Sequence, residues 1–228
     1  MLRALGLILP IIFANLCLGQ KPNKVQEGPT DFSKEAVVIQ RFHVAASFEK
    51  DGKSNREYLA VIHVLSEAGA QQFGVLNFGY AAANEDVEIA YVRVRKSSGA
   101  VVDTPAENIQ DMPSEITRAA PFYSDLREKH VAVKALSPGD TLEYQVRFRT
   151  LAPLVPGQFW FEHSFNKQNI TLHEQLTISV PREIDIKLKS GDPKPSLSEE
   201  AGRRIYVWKT ANLVAGKKTD ESADAFEV

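Results

Sequence analysis

Five histidines are the first residues to weigh as chemistry in this sequence of 228 residues. His163 and His173 would meet across a hairpin if both lie on strands, and Glu162 or Glu174 beside them would complete an imidazole and carboxylate set for zinc. The spacing matches no compact metal motif. Ordinary strand histidines are therefore the preferred reading, and a metal-dependent enzyme built on His163 and His173 is the alternative. His43 shares a wet strand face with Arg41, and His63 falls in a segment apolar on both sides, where a hydrogen-bonded core role is expected. His130 ends the charged run Arg127-Glu128-Lys129-His130, read as a turn. Ser124, Asp125 and His130 have the residue types of a hydrolytic triad, but they crowd into one loop, whereas working triads assemble from distant segments. No Gly-x-Ser-x-Gly elbow and no Gly-x-x-x-x-Gly-Lys phosphate loop occurs. Glu107 with Asp111, and Glu162 with Glu174, would serve glycoside cleavage only if the fold faced them across a cleft. No catalytic residue, metal set or cofactor is assigned, and the chain by itself is expected not to be an enzyme, with a cell-surface adhesion or scaffold module as a further alternative.

The best binding candidates are aromatic. On an extended segment Phe159 and Phe161 share one face and Trp160 takes the other. Cover by the core and a neighbouring domain is the preferred reading, and a carbohydrate or peptide platform the alternative; in both, an exposed Trp160 marks an interface. Asn169-Ile170-Thr171 matches the glycosylation triplet, a match frequent by chance.

Composition narrows the class. A formal net charge of −2 argues against a protein that coats nucleic acid or an anionic membrane. One cysteine can make neither an internal disulfide nor a cysteine-rich zinc site. It is Cys17, inside residues 1–19, where Arg3, an apolar run from Leu5 to Leu18 and the exit Cys17-Leu18-Gly19 read as a secretory signal peptide cleaved after Gly19. The run is short for a transmembrane span, so an uncleaved anchor, the one expected route to a membrane, is the alternative. Leu16 stands where a lipoprotein signal needs a small residue. The mature protein is expected to be secreted or periplasmic, without a thiol nucleophile.

The elements that must position these residues are strands. After a leader over 20–35, Leu142, Tyr144, Val146 and Phe148 alternate with Glu143, Gln145, Arg147 and Arg149, the mark of a strand with one dry and one wet face. Leu172 to Val180 and Ile184 to Leu188 repeat the pattern, broken at Pro181. Tyr58–Leu65 and Val87–Val94 are apolar on both faces, like central strands. Asp51-Gly52, Ser98-Gly99 and Ser137-Pro138-Gly139-Asp140 supply turns, the second closing a hairpin. Short strands at this spacing predict an all-β fold, an antiparallel β-sandwich over 36–213 with a flexible N-terminal leader and a C-terminal linker over 214–228. The one helical signal is Pro113–Arg118, where Ser114 is placed to cap.

With those residues in view, a resemblance enters. Phe122-Tyr123-Ser124-Asp125-Leu126-Arg127, Val131-Ala132-Val133, the Leu136–Tyr144 run around Gly139-Asp140, Gly157-Gln158-Phe159-Trp160-Phe161, Leu176–Pro181 and Arg204–Asn212 together resemble the bacterial secreted domain of unknown function that precedes transglutaminase-like core domains. The resemblance implies a sandwich-like module joined downstream to a papain-like transglutaminase or protease fold carrying Cys, His and Asp. It carries no catalytic residue onto this chain. A transglutaminase-like domain or protein is the expected partner, and the chain is expected to be the front part of a longer protein.

Overall fold

The computed structural model describes residues 31–122 and 125–214. The expected signal peptide with Cys17, most of the leader, Tyr123-Ser124 and nearly all of the C-terminal linker lie outside the described residues.

The fold is all-β. Its strands are β1 (Val37–Phe48), β2 (Ser54–Val64), β3 (Val75–Ala81), β4 (Glu85–Arg95), β5 (Val101–Asp103) and β6 (Ile109–Pro113), followed by β7 (Leu126–Ala132), β8 (Thr141–Thr150), β9 (Ile170–Pro181), β10 (Ser196–Glu200) and β11 (Arg203–Asn212). Eight of them form one large sheet in the order β10-β11-β9-β1-β2-β8-β4-β5, and β3-β7-β6 form a small one. The ladders are antiparallel except β1 with β9, which run parallel. Two short helices interrupt, α1 (Glu67–Gln72) and α2 (Glu115–Ala119). The second is the helix expected from sequence, and Ser114 caps it by accepting the Thr117 N–H at 3.3 Å.

One face of the large sheet is dry. Ala60, Ile62 and Val64 of β2 and Leu142 and Val146 of β8 point into it. β1 and β4 reach the same face only by changing parity at a bulge, between Ile39 and Arg41 in one and between Ile89 and Tyr91 in the other. Val37 and Ile39 are thus continued by Phe42, Val44, Ala46 and Phe48, and Val87 and Ile89 by Val92 and Val94. This corrects the reading of Val87–Val94 as apolar on both faces: the strand has one dry face whose register shifts by one. The opposite face is open and polar. In-register rows Glu57-Arg147-Glu88 and Asn55-Arg149-Asp86 cross β2, β8 and β4, and Glu143 accepts from Arg93 at 2.8 Å and from Arg95 at 3.1 Å. Burial alone would push the Glu143 carboxyl up, but the two guanidinium hydrogen bonds outweigh it and hold the group below its ordinary range.

Two covers close the dry face. The small sheet packs Leu76 of β3 and Val131 of β7 over Val37, Ile62, Val92 and Leu142. Beyond Phe42 the cover changes: Val44, Ala46, Phe48, Leu176, Ile178, Val180 and Trp208 lie under Phe159, Phe161, Phe165 and Ile186, which belong to segments outside any ladder. The expected strand over Ile184–Leu188 is therefore corrected to an extended, unladdered segment, and Phe159–Phe161 is extended in the same way. His130 lies in β7 rather than in a turn.

Asp51-Gly52 and Ser98-Gly99 form the expected turns, each glycine at positive φ. Ser137–Asp140 is a turn as well, closed by the Asp140 N–H on the Ser137 carbonyl at 3.1 Å with Gly139 at positive φ, and it carries the chain from the small sheet to the large one. Its Asp140 is buried and collects the Lys96 ammonium, the Ser137 N–H at 2.9 Å and the Ser97 N–H at 3.2 Å, while the Asp140 carbonyl accepts the Val64 N–H at 2.9 Å. Gly139-Asp140 is thus a structural knot between β2, the β4–β5 turn and β8.

Candidate functional site

The connection from β8 to β9 carries the aromatic residues singled out from sequence. It turns at Gly157, at positive φ, whose N–H donates to the Asp51 carbonyl at 2.9 Å. From there the chain runs extended, with the side chains of Phe159, Phe161, His163 and Phe165 inward and those of Trp160, Glu162 and Ser164 outward. Phe159 stacks on Phe48 at 4.1 Å between ring centroids, and Phe161 meets the same ring edge-on at 5.9 Å. The far end is pinned by Glu174 of β9, whose side chain is 1 % exposed. One carboxylate oxygen lies 3.3 Å from His163 Nε2, and the other accepts the Asn166 N–H at 2.9 Å. Phe42 stacks on the His163 ring at 6.4 Å and Phe165 meets it edge-on at 5.0 Å, so this His–Glu pair is enclosed.

Trp160 faces the other way and is 66 % exposed, with Leu154 close by in the chain at 80 %. It stands between two concavities. On one side a cleft of about 240 Å³ is walled by Phe48, Pro153, Leu154, Phe159 and Trp160 and has polar members at Ser54, Arg56, Glu85 and Thr150. Arg56 pairs with Glu85, its guanidinium lies 5.1 Å from the centre of the Phe148 ring, and Ser54 shares a hydrogen bond of 2.8 Å with Thr150. On the other side a groove of about 810 Å³ is lined by residues 157–162 and 184–188, with the buried rings and methyls of Phe48 and Ile178 between them.

The structure therefore brings Phe159, Trp160 and Phe161 together at one surface and separates the other candidates. His163 faces Glu174 under the aromatic cover, whereas His173 is exposed beside His43 on the open face. The geometry required of a His163/His173 metal pair is not formed. His43 sits there with its imidazolium form disfavoured, chiefly by burial and then by the positive charges of Arg41, His173 and Lys209. His63 Nδ1 lies 3.4 Å from Thr141 Oγ1 and His130 Nε2 is 2.9 Å from Glu128, while Asp125 accepts the Ala83 N–H at 2.8 Å. Asp125 and His130 thus have separate partners. Asp111 accepts from Tyr80 at 2.7 Å and from Arg127 at 2.8 Å and serves as a surface tie, without Glu107. Glu162 points outward and Glu174 inward, which removes them as a facing acid pair.

Sequence reasoning missed Arg56 and Glu85. One signal was available: Arg56 shares its strand face with Ser54, Tyr58, Ala60, Ile62 and Val64, and a charged residue on an otherwise apolar face calls for a partner or a site.

A crystal structure of a candidate protease from Parabacteroides distasonis has the same fold at a TM-score of 0.73 and 17 % identity, the match covering 81 % of this chain and 37 % of that one. The chain spans little more than a third of that protein. An M1 zinc metallopeptidase from Deinococcus radiodurans aligns at a TM-score of 0.40 and 7 % identity over 77 % of this chain and 39 % of that one, too slight a likeness to carry an argument. No curated protein sequence matches. A family model for a domain of unknown function with a solved structure, DUF3857, matches residues 50–217, and the chain belongs to that family.

Proposed function

We propose that this chain is a non-catalytic extracytoplasmic module that works by binding, accompanying or positioning a transglutaminase- or protease-like domain. The observation that carries the reading is the contrast within one segment: His163 is packed between Phe42 and Phe165 against Glu174, while Trp160 stands exposed between a cleft and a groove. A general base must reach the proton it removes, and the His163 side chain is 9 % exposed with Nε2 turned onto Glu174, an arrangement that favours a structural role. An exposed indole beside concave apolar surface is a binding feature. That a module of this fold fills part of a longer candidate protease supports a division of labour between a binding part and an enzymatic one. The test is to assay the purified chain for hydrolysis of labelled casein and for transfer of a labelled amine onto it. The expected result is no turnover above the protein-free blank. Turnover that scales with protein and disappears in His163→Gln would overturn the reading.

A further inference from the structure

The backbone of the aromatic segment has no partner. Among the described residues, no main-chain N–H or C=O from Phe159 to Phe165 makes a hydrogen bond, and the same holds from Asp185 to Lys189. The first stretch alternates inward and outward side chains, the second turns Ile186 inward, and residues 159–162 of the one and 185–188 of the other line the groove over Phe48 and Ile178. Their sequences read as strands because the side-chain period is that of strands, yet neither is in a ladder. Extended backbones with unpaired donors and acceptors are templates for another strand.

We propose that this groove takes an extended peptide of a partner protein as an added β-strand, hydrogen-bonded to residues 159–162 on one side, to 185–188 on the other, or to both. Alternate side chains of the peptide would point down onto Phe48, Ile178 and Ile186, so its inward positions are apolar. The part of this segment that lines the groove, residues 159–162, offers about 13 Å of edge, at roughly 3.3 Å per residue, enough for a short strand. Charge sets the outward positions. Glu162 lines one side of the groove and Lys187 the other, and neither is in an ion pair among the described residues, so the peptide's outward residues are basic beside Glu162 and acidic beside Lys187. Trp160, also outward, covers the peptide's flank. The inference rests on the binding-module reading and names the partner's form.

The test uses an acetylated, amidated seven-residue peptide in which valine alternates with lysine and glutamate, and the same peptide N-methylated at its two central valines. Amide exchange in the chain is followed by NMR, with binding read from Trp160 fluorescence in a Trp208→Phe background. In the free protein, amides 160–164 and 186–188 are expected to exchange much faster than those of β9. Saturating peptide is expected to slow at least one set about tenfold or more, and N-methylation to weaken binding by about tenfold, as loss of two hydrogen bonds implies. Three results would each overturn the proposal: amides already protected in the free protein, equal binding of the N-methylated peptide, or protection that rises with protein concentration alone, which would make the occupant a second copy. None of these would touch the non-catalytic reading, which the turnover assay tests separately.

Discussion

The two covers of the large sheet achieve the same burial by different means. The β3-β7-β6 cover is itself a hydrogen-bonded sheet, so each of its residues is held by neighbours on the chain and across the ladder. The aromatic cover over residues 159–165 is held without a ladder: Phe159 and Phe161 rest on Phe48, and His163 and the Asn166 N–H on the Glu174 carboxylate. Each cover is tied at its junction by one buried carboxylate, Asp140 for the ladder and Glu174 for the aromatic segment. Because a ladder shares its load and a row of side-chain contacts does not, the first cover belongs to the global folding unit. The second is the low-stability part of the fold, where binding surface is expected.

The comparison can be broken first at the floor. Phe48→Ala removes a ring only 2 % exposed that both Phe159 and Phe161 touch, and should cost about 3–5 kcal/mol in urea unfolding. Asp140→Ala strips a half-buried Lys96 and two turn N–H groups of their acceptor. It is expected to cost about 2–3 kcal/mol and to appear in the same cooperative transition. Glu174→Gln, the matching change at the other cover, should cost about 1–2 kcal/mol and act locally, raising amide exchange over 163–169 while β7 stays unchanged. If Glu174→Gln lowered the global transition as much as Asp140→Ala does, the two covers would not differ in kind.

Acid should act on the open face through His43. His43 has its pKa held below the ordinary 6.5, so the unfolded chain binds this proton more readily than the folded one. The stability contributed is therefore present above about pH 6.5 and falls as pH drops below it. His43→Gln should flatten that slope in urea midpoints measured from pH 7.5 to 5.5, and an unchanged slope would remove His43 from the account. The smallest effect is at Trp160. With its ring mostly outside, Trp160→Ala should alter stability by no more than about 0.5 kcal/mol.

Much of this was legible before any coordinates. Leu142 to Phe148 announced a half-buried strand because hydropathy with a period of two has no other common cause. Gly52 and Gly99 marked their turns because positive φ favours glycine. What could not be read has identifiable reasons. The bulges in β1 and β4 shift parity by one residue, so a one-faced strand looks apolar on both sides. Phe159–Phe161 and Ile184–Leu188 alternate like strands because alternation reports an extended backbone and is silent about whether a ladder forms. The helix α1 is short and holds Gly69, a poor helix former. That glycine is required by tertiary approach, since a Cβ there would lie 2.2 Å from the Ala36 carbonyl oxygen. The Arg56–Glu85 pair joins different strands, and only the register of β2, β8 and β4 brings the two together.

The contrast between the covers is tested most directly by residue-resolved amide exchange in the free protein at pH 7. Amides of β7 hydrogen-bonded in the small sheet are expected to exchange only through global unfolding, with protection that follows the denaturation free energy. Amides from Trp160 to Ser164 are expected to exchange many times faster and independently of it. Equal protection of the two sets would show that the aromatic cover is as firmly paired as the ladder, and would contradict the account.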